Sequence, residues 1–440
     1  MIYLSHNYSI KNLLNLKEEN IYFDEKFSTK ERDKNGNSYT VLHAKLAYKP
    51  KVCQCCGKEN FNNSIIKHSF KSSNIALLDV CATRTVLRLR KQRFLCKHCK
   101  KTFIAKTNIV EKNCYISNDL KIRIALELKE TVSIKYIAKT FNVSSSTVMR
   151  VMKNYYPNNT MNRNYLPENL CFDEFKSVKD AAGAMSFVCC NAKAPHNIID
   201  IVENRQLRYL KEYFELYPKE VRAKVKTIII DMYKPYIILI KELFPNAIII
   251  TDRFHTVQLI SRVLNKVRIS VMNAKKSKEK PIYNKLKRYW KLILKADVKC
   301  AYIPQKYSLF KDFLSEREIV EYLLSLDDDL KSTYELYQDI IYAISYKNID
   351  GLEKAIEKKR AKRKEVTTAL STLKKYFDSI SNSLKYPYSN GPVEGINNKI
   401  KVLKRVSYGF RRFKNFKKRI LICFNQSILV NPIKRLLAAA

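Results

Sequence analysis

The sequence predicts a multidomain α/β protein in which a mixed-sheet domain follows two small domains and is interrupted by a helical block. Three observations lead to this prediction. Two Cys-x-x-Cys pairs lie within residues 51–110, a pair of short amphipathic helices follows within 111–156, and strand-like apolar runs alternate with helical patterns in 170–260. From 261 to 385, apolar residues recur at three- and four-residue spacing, as in packed helices.

The charge balance of the chain predicts a polyanionic partner. Its 440 residues include 83 Lys and Arg against 41 Asp and Glu, a formal net charge of +42, while 46% of the residues are hydrophobic and can form sizeable cores. Repulsion between so many cations disfavours a compact monomer, and nucleic acid relieves it because phosphates release counterions on binding. AT-rich coding sequence explains part of the lysine excess, but it does not explain the shortage of acidic residues.

The apolar segments of the chain indicate no membrane partner. The N-terminal residues lack the charged and apolar segments of a signal peptide, and no run of 18 apolar residues occurs. We expect a soluble, cytoplasmic protein whose 12 cysteines lie in a reducing compartment and favour metal binding over disulfides. Residues 1–50 alternate weakly and are expected to form short strands and loops.

Four cysteines have the spacing of a structural zinc site, which predicts a zinc ribbon at 51–110. The pairs are Cys53 with Cys56 and Cys96 with Cys99, and the 39 residues between them leave room for a long hairpin. Four thiolates complete a tetrahedral Zn²⁺ site and leave no open position for catalysis. Three other side chains remain open as alternative ligands: Cys55, Cys81 and His98.

The segment around the second cysteine pair is strongly basic. Residues 84–106 carry nine Lys or Arg and no acidic residue. A zinc-stapled hairpin with this charge suits contact with DNA, whereas a solvated basic face is the alternative interpretation. The predicted DNA contacts are Arg88, Arg90 and Arg93.

Residues 133–156 have the pattern of a helix-turn-helix. Apolar side chains fall on one face of each helix, and Ser144 is suited to cap the second helix at its N-terminus. The second helix of this motif enters the major groove of DNA, although an ordinary helical hairpin has a similar pattern. Four side chains are predicted to face outward toward DNA: Ser145, Ser146, Arg150 and Lys153.

Two aspartates lie in or next to apolar strand runs of the predicted mixed sheet. Asp173 lies within LCFDEF, and Asp231 ends the run VKTIIID. A carboxylate at a buried strand is costly unless it is paired or bound to metal, although a turn or a solvent-facing position would explain each one singly. Because strand side chains alternate, only one of Asp173 and Glu174 can face a shared site.

Glu394 is the one carboxylate in the basic segment SNGPVEGINNKIKVLKR. Pro392 suits the first turn of a helix, where Glu394 would also interact favourably with the helix dipole. The helix has an apolar stripe of Val393, Ile396, Ile400 and Leu403 and a polar stripe of Glu394, Asn398, Lys401 and Arg405. With two strand aspartates, a helix-borne glutamate could hold two divalent ions, and Mg²⁺ suits carboxylate and water ligands.

The segment that follows Glu394 is predicted to lie along DNA. Residues 399–419 contain ten Lys or Arg and no acidic residue. Interleaved aromatic side chains, from Tyr408 to Phe416, are more often core residues than base-stacking groups. The predicted DNA contacts in this segment are Lys401, Lys404, Arg405, Arg411 and Arg412.

The chain resembles the ISL-three-type bacterial insertion-sequence transposases. The resemblance runs from about residue 50 to 420 through CQCC…CKHC, the helix-turn-helix, FDEF, IIIDMYKPY, PNAIIITDRFHTVQL and SNGPVEGINNKIKVLKRVSYGFRRFKNF. It implies a ribonuclease H-like catalytic core with a DDE triad of Asp173, Asp231 and Glu394. The segment DRFH further implies a role for His255 in contacting DNA or supporting the active site, with a satisfied histidine at a helix start as the alternative.

The resemblance also implies an activity. A DDE transposase binds the terminal inverted repeats of its element and uses two Mg²⁺ ions, or Mn²⁺ in their place, to nick DNA and transfer the freed 3′-hydroxyl. Because two ends must be joined, at least a homodimer is expected on double-stranded DNA, both the element ends and the target DNA, in the nucleoid of the bacterial cytoplasm. The alternatives are a DNA-binding regulator with an inactive core and a structure-specific nuclease that cuts without joining.

The predicted boundaries follow from these motifs. A linker is expected at 157–169, and the core domain at 170–260. The core is interrupted by the helical insertion at 261–385 and completed by its C-terminal helix and basic tail at 386–430.

Overall fold

The structure is a computed structural model that describes residues 2–156, 162–194, 197–358 and 363–424. These residues form two compact units, each described separately below. Unit 1 holds the described residues up to 156 with 402–410 and 418–424, and unit 2 holds 162–401 and 411–417. Among the described helices, none is long and apolar enough to cross a membrane. The predicted linker and basic tail lie partly outside the described residues.

The first part of unit 1 is a helix followed by a five-stranded sheet. The elements are α1 Ile2–Leu13, β1 Ile21–Arg32, β2 Ser38–Leu46, β3 Ile65–Ala76, β4 Thr85–Cys96 and β5 Thr102–Ile104. The strand order is β1-β2-β4-β3, with β5 also on β4, and β2 runs parallel to β4. One core cluster joins Leu16, Phe23 and Leu42 to Leu87 and Phe103.

The prediction of short strands and loops for residues 1–50 was wrong in two respects. The chain begins with a helix of 12 residues, and β1 and β2 are long strands that extend the cysteine-bearing sheet. The weak alternation of 21–46 reflects strands that are buried on one face only, and the pairing of β2 with β4 depends on residues 45 positions later. The long hairpin expected between the cysteine pairs is β3–β4.

Unit 1 continues with the three helices that include the helix-turn-helix. They are α2 Asn118–Glu127, α3 Ile134–Thr140 and α4 Ser145–Tyr155. Ser144 caps α4 as predicted, because its hydroxyl accepts the N–H of Thr147 at 3.2 Å. Val148, Val151 and Met152 are buried against the neighbouring helices.

Unit 2 is built on a second five-stranded sheet of mixed direction. Its strands are β6 Asn169–Lys176, β7 Met185–Asn191, β8 Ile198–Val202, β9 Thr227–Ile230 and β10 Ile248–Thr251. The order is β10-β9-β6-β7-β8, in which β6, β7 and β8 are antiparallel neighbours while β9 and β10 run parallel to β6. The helices between these strands are α5 Leu207–Glu215, α6 Lys219–Ala223 and α7 Lys234–Leu243. This is the mixed sheet of the predicted ribonuclease H-like core.

An aromatic cluster fills the core beneath this sheet. Phe172 of β6 is fully buried and lies 5.0 Å from the ring of Phe187, 5.4 Å from Phe214 and 6.1 Å from Phe244, measured between ring centroids. Large buried rings dominate core energetics. Phe172 therefore anchors β6 to the helices that cover one face of the sheet.

The helical insertion has a core of its own. Its helices are α8 Arg253–Ala274, α9 Lys280–Arg288, α10 Trp290–Ile293, α11 Glu316–Leu324, α12 Asp328–Ser345, α13 Ile349–Glu357, α14 Lys364–Lys375 and α15 Phe377–Lys385. A pair of two-residue strands, β11 Gln305–Lys306 and β12 Phe313–Leu314, interrupts the helical pattern. One cluster of buried side chains runs from Ile260 of α8 to Leu384 of α15.

Two helices complete the described chain, α16 Gly391–Val406 and α17 Phe413–Cys423. The predicted apolar stripe of α16 is buried, with Val393 and Ile396 at 0% exposure. Arg419 of α17 belongs to unit 1 and is fully buried there. It donates to the carbonyls of Glu130 and Val132, in the same unit, at 2.8 and 2.9 Å. Phe416 is also buried, whereas Tyr408, between the helices, is fully exposed, so the aromatic side chains of this segment divide between core and surface.

We expect Phe172→Ala to lower the free energy of unfolding of unit 2 by about 3–5 kcal/mol, because it removes a fully buried ring from the aromatic cluster. Differential scanning calorimetry would show this as an earlier transition for that unit. Tyr209→Ala, an exposed aromatic of α5, is the control and should change stability by less than about 0.5 kcal/mol. Equal effects of the two substitutions would contradict the assignment of Phe172 to the core.

Candidate active site

Strand register brings the two predicted aspartates side by side. The last residue pair between parallel strands β6 and β9 is Cys171 with Ile229. Asp173 and Asp231 each lie two residues further along their own strands, so they stand at the same level on strands about 4.8 Å apart. The two negative charges act on one another across this gap.

Asp173 is held in a partly buried position. Its Oδ1 accepts the backbone N–H of Glu174 at 2.7 Å, and its Oδ2 accepts Nδ2 of Asn397 at 2.6 Å. Burial raises the pKa of Asp173 to about 7, and the charge of Asp231 adds to the increase, although the hydrogen bond from Glu174 opposes it. Near neutral pH, Asp173 therefore ionises more readily when a cation lies beside it.

Asp231 is linked to a histidine and to an asparagine. Its Oδ1 accepts Nε2–H of His255 at 2.9 Å and Nδ2–H of Asn390 at 2.9 Å. The hydrogen bond to Asp231 raises the pKa of His255, against the effect of its partial burial. The contact with His255 thus fixes the orientation of the Asp231 carboxylate.

A third aspartate, Asp252, holds Asn390 in place beside Asp231. It is buried at 6% exposure, and its Oδ1 caps α8 by accepting the N–H of Phe254 at 3.0 Å. Its Oδ2 accepts the backbone N–H of Asn390 at 3.0 Å. Asp252 therefore positions the residue that contacts Asp231, a role that its place in the segment DRFH did not predict.

Helix α16 reaches both aspartates from one face. Asn390, just before the helix, contacts Asp231, and Asn397 contacts Asp173. Glu394 lies four residues after Asn390 and three before Asn397, a spacing that places all three on one stripe of the helix. Glu394 is exposed, and its backbone N–H donates to the Asn390 carbonyl at 3.0 Å.

The carboxylate oxygens of Asp173, Asp231 and Glu394 do not all lie close together in the structure. Among the described residues, one group of three or more Cys, His, Asp or Glu has all its ligand atoms within 4.8 Å of one another. It consists of the four cysteines of the predicted zinc ribbon. Glu394 shares the helix face of Asn390 and Asn397 without joining Asp173 and Asp231 at that distance. The expectation that Glu174 faces elsewhere agrees with its contacts, because it pairs with Arg205 and accepts the hydroxyl of Tyr236 at 3.0 Å.

The chemistry of this site fits a hard divalent cation. The side-chain oxygens Oδ1 of Asn390 and Oδ1 of Asn397 are buried and have no hydrogen-bond partner in the described structure. They lie beside two carboxylates, and oxygen donors of these kinds are the ligands that Mg²⁺ prefers. Sequence reasoning missed both asparagines, and their only signal was their spacing of four and three residues from Glu394.

The four predicted cysteines form a compact thiolate cluster. Cys53 Sγ lies 3.8 Å from Cys99 Sγ, and Cys56 Sγ lies 3.9 Å from Cys96 Sγ. Four sulfurs at about 2.3 Å from a central zinc ion would be separated by about 3.8 Å, so the cluster has the dimensions of a tetrahedral zinc site. The three alternative ligands lie outside this group.

The predicted DNA contacts differ in their surroundings. Arg88 pairs with Glu31 at 2.8 Å and Arg90 with Asp24 at 2.9 Å, while Arg93 donates to Thr102. Lys404 and His255 are partly exposed. The other predicted contacts are exposed: Ser145, Ser146, Arg150, Lys153, Lys401, Arg405, Arg411 and Arg412.

Three family models match the chain. One described as a transposase matches residues 170–420, one described as the zinc-finger of transposase IS204/IS1001/IS1096/IS1165 matches 49–99, and one described as the helix-turn-helix domain of transposase family ISL3 matches 105–156. The first alone covers more than half of the 440 residues.

Curated proteins and a solved structure are also similar. An ATP-dependent protease of Lactococcus lactis subsp. lactis is 41% identical over 118 residues, and the chain spans only 38% of that relative. The transposase for insertion sequence element IS1001 of Bordetella parapertussis is 24% identical over 386 residues, 87% of this chain and 91% of the relative. The Drosophila P element transposase strand transfer complex is 12% identical, with a TM-score of 0.36, over 71% of this chain and 93% of that chain.

We expect Cys96→Ser to lower the bound zinc, measured by elemental analysis, and to destabilise unit 1, because it removes one of four clustered thiolates. Cys55→Ser is the matched control, since Cys55 is exposed and lies outside the cluster. It should leave both zinc content and thermal stability unchanged. Loss of zinc in both variants would show that the ligand set is different.

We expect the unfolding temperature of unit 2, in buffer without divalent metal, to fall as pH rises from about 4 to 7. Folded Asp173 has its pKa raised to about 7, so its protonated form stabilises the fold below the unfolded pKa of about 4, and this contribution is lost as pH rises through the folded pKa. The loss amounts to roughly 2–4 kcal/mol.

Asp173→Asn should flatten this dependence, whereas Asp350→Asn, at an exposed position of α13, should keep it. Added Mg²⁺ should recover stability at pH 7 in the wild-type chain, because binding to the folded state alone stabilises it. A pH dependence that persists unchanged in Asp173→Asn would contradict the prediction.

Proposed function

The chain belongs to the ISL3 family of transposases, and on that premise we propose that it binds the terminal inverted repeats of an insertion sequence and catalyses Mg²⁺-dependent strand cleavage and strand transfer. The observation that carries the proposal is the contact of one helix with both strand aspartates. Asn390 and Asn397 meet Asp231 and Asp173, and Glu394 lies between them on the same stripe. A DDE site requires this combination of two strand carboxylates and one helix carboxylate.

Asp173, Asp231 and Glu394 would hold the metal ions in this proposal. Two Mg²⁺ ions bound there, or Mn²⁺ in their place, would stabilise the attacking and leaving oxygens of an in-line phosphoryl displacement. The side chain of Glu394 is exposed and free to rotate, so a metal ion held by the aspartates would draw it toward them. No covalent enzyme intermediate is needed, because water and then the freed 3′-hydroxyl serve as nucleophiles.

The neighbouring residues have positioning roles in this mechanism. Asn397 and the backbone N–H of Glu174 orient the Asp173 carboxylate. His255 and Asn390 both donate to one oxygen of Asp231, which leaves the other oxygen available to a metal ion. His255, with its raised pKa, also adds positive charge beside the DNA backbone when it is protonated.

DNA binding is assigned to the exposed cations of both units. In α4 the outward Ser145, Ser146, Arg150 and Lys153 would read or flank the major groove, as in other helix-turn-helix domains. The charge of +42 supports a long DNA contact. We also propose that Arg93 and the cations between 401 and 412 contact phosphates, and that Arg88 and Arg90 contribute only where DNA displaces their acidic partners.

The transposition reaction sets the assembly and location that we propose. Two element ends must be brought together before joining, so at least a homodimer would act on double-stranded DNA. The protein would work on the bacterial nucleoid in the cytoplasm. A DNA-binding regulator with an inactive core is the competing function, and it predicts binding without cleavage.

We expect Glu394→Gln to retain binding to element-end DNA while nicking falls by a factor on the order of 10³ or more, because metal polarisation contributes several kcal/mol to the transition state. Gel assays with Mg²⁺ would follow nicked and joined products on a duplex carrying the element end. Glu365→Gln is the matched control, since Glu365 also lies exposed in the first turn of a helix, α14.

The outcomes separate the candidate functions. Full activity of Glu394→Gln would rule out its catalytic assignment. Binding by the wild-type chain without any Mg²⁺-dependent nick would favour the regulator. Nicks without joined products would favour a structure-specific nuclease.

A further inference from the structure

A large cleft opens on one face of the five-stranded sheet in unit 1. Its volume is about 1540 Å³, and its walls are the turn at 15–18, strands β3 and β4, and the segment 102–119. Pockets for small molecules typically have volumes of about 300–1,000 Å³. The size of the cleft therefore suits a segment of a polymer better than a metabolite.

Two lysines face each other across the floor of this cleft. Lys71 of β3 and Lys91 of β4 are directly opposite in the antiparallel register, and Arg93 follows on the same side. Like charges directly opposite each other destabilise a sheet. Burial lowers the pKa of Lys91, and the charge of Lys71 lowers it further, with no carboxylate among the described residues opposing the effect. The pair weakens the fold unless an anion lies between the two lysines.

The acidic residues of the cleft have other partners. Six Lys or Arg and three Asp or Glu line it. Glu18 accepts the backbone N–H of Asn108 at 3.4 Å, Glu111 pairs with Lys121 at 3.0 Å, and Asp119 lies in the first turn of α2. These carboxylates support the walls of the cleft, and they leave the positive charge on its floor uncompensated.

On the opposite face of the same sheet, in contrast, the basic side chains have acidic partners. Arg88 and Arg90, which precede Lys91 on β4, are each matched by an acidic side chain of β1. Their charges are compensated within the fold, so an anionic ligand there must first compete with Glu31 and Asp24. The cleft face carries the cations that lack such compensation.

We infer that the cleft binds the sugar–phosphate backbone of duplex DNA, with Lys71, Lys91 and Arg93 as its phosphate contacts. This inference rests on the proposed function and extends it, since it identifies which face of the zinc-ribbon sheet meets DNA. It also gives the N-terminal segment a role, because residues 15–18 form one wall and contribute Lys17. The contacts are to phosphates, so they add affinity for any sequence.

The test uses the full-length, zinc-loaded chain and a mixed-sequence DNA duplex. We expect Lys71→Gln and Lys91→Gln each to weaken binding roughly 3- to 10-fold at low salt and to reduce the slope of log affinity against log salt by about 0.9 for each lost contact. Lys67→Gln is the matched control, because Lys67 is exposed on the same strand but does not line the cleft. It should bind DNA as the wild-type chain does.

A charge reversal separates binding from folding. Lys91→Glu places a carboxylate opposite Lys71, so the melting temperature of unit 1 should rise while DNA binding falls more than in Lys91→Gln. Folded variants of Lys71 and Lys91 that bind as tightly as the wild-type chain would overturn the inference and leave the proposed function intact. So would a larger loss in Lys67→Gln, or competition by poly-glutamate as strong as by duplex DNA. A wild-type chain that binds no duplex would overturn the proposed function and the inference together.

Discussion

Two asparagine–aspartate hydrogen bonds connect the last part of the chain to a sheet formed much earlier. Asn390 meets Asp231 across 159 positions, and Asn397 meets Asp173 across 224. Each aspartate lies at a strand covered by apolar side chains, where an unpaired carboxylate is costly. Asn390, just before α16, and Asn397 within it satisfy both aspartates, which fixes the rotation and register of the helix against the sheet. The position of Glu394 follows from that constraint, since it lies between the two contacts.

Acidic residues are few in this chain, and their positions determine which basic side chains are paired. With 41 acidic residues for 83 Lys and Arg, the chain compensates cations only at selected places. Glu31 and Asp24 compensate the arginines of β4, and buried Asp200 holds Lys417 at 2.6 Å. Glu111 and Glu174 likewise pair with Lys121 and Arg205, whereas Lys71 and Lys91 of the cleft lie opposite each other. Charge in this protein therefore differs from face to face, and the uncompensated faces are where a polyanion gains most.

Patterns local in sequence predicted much of this structure. The cysteine spacing predicted the thiolate cluster, Ser144 predicted the start of α4, and the apolar runs predicted the strands of the mixed sheet. The helix face of Glu394 was also predicted from its apolar stripe.

Contacts between distant segments could not be predicted in this way. Asn390 and Asn397 are neutral amides whose role depends on strand register about 160 to 220 positions away. The parallel pairing of β2 with β4 joins the first 50 residues to the cysteine hairpin, and nothing in the weak alternation of those residues specifies a partner. Single-segment propensity is a weak guide where tertiary contacts decide the structure.

The helical insertion contributes to the site although none of the three predicted catalytic residues belongs to it. Its last helix, α15, covers β10, the strand at one edge of the mixed sheet. Asn382 donates to the carbonyl of Ile249 at 3.0 Å, and Ser379 shares a hydrogen bond with Thr251 at 2.8 Å. An open strand edge would otherwise be available to other chains. Helix α15 ends five residues before Asn390. Its contact with β10 therefore also positions the chain where α16 begins. The insertion has a core of its own, so substitutions within that core should shift Asn390 and, through it, the candidate site.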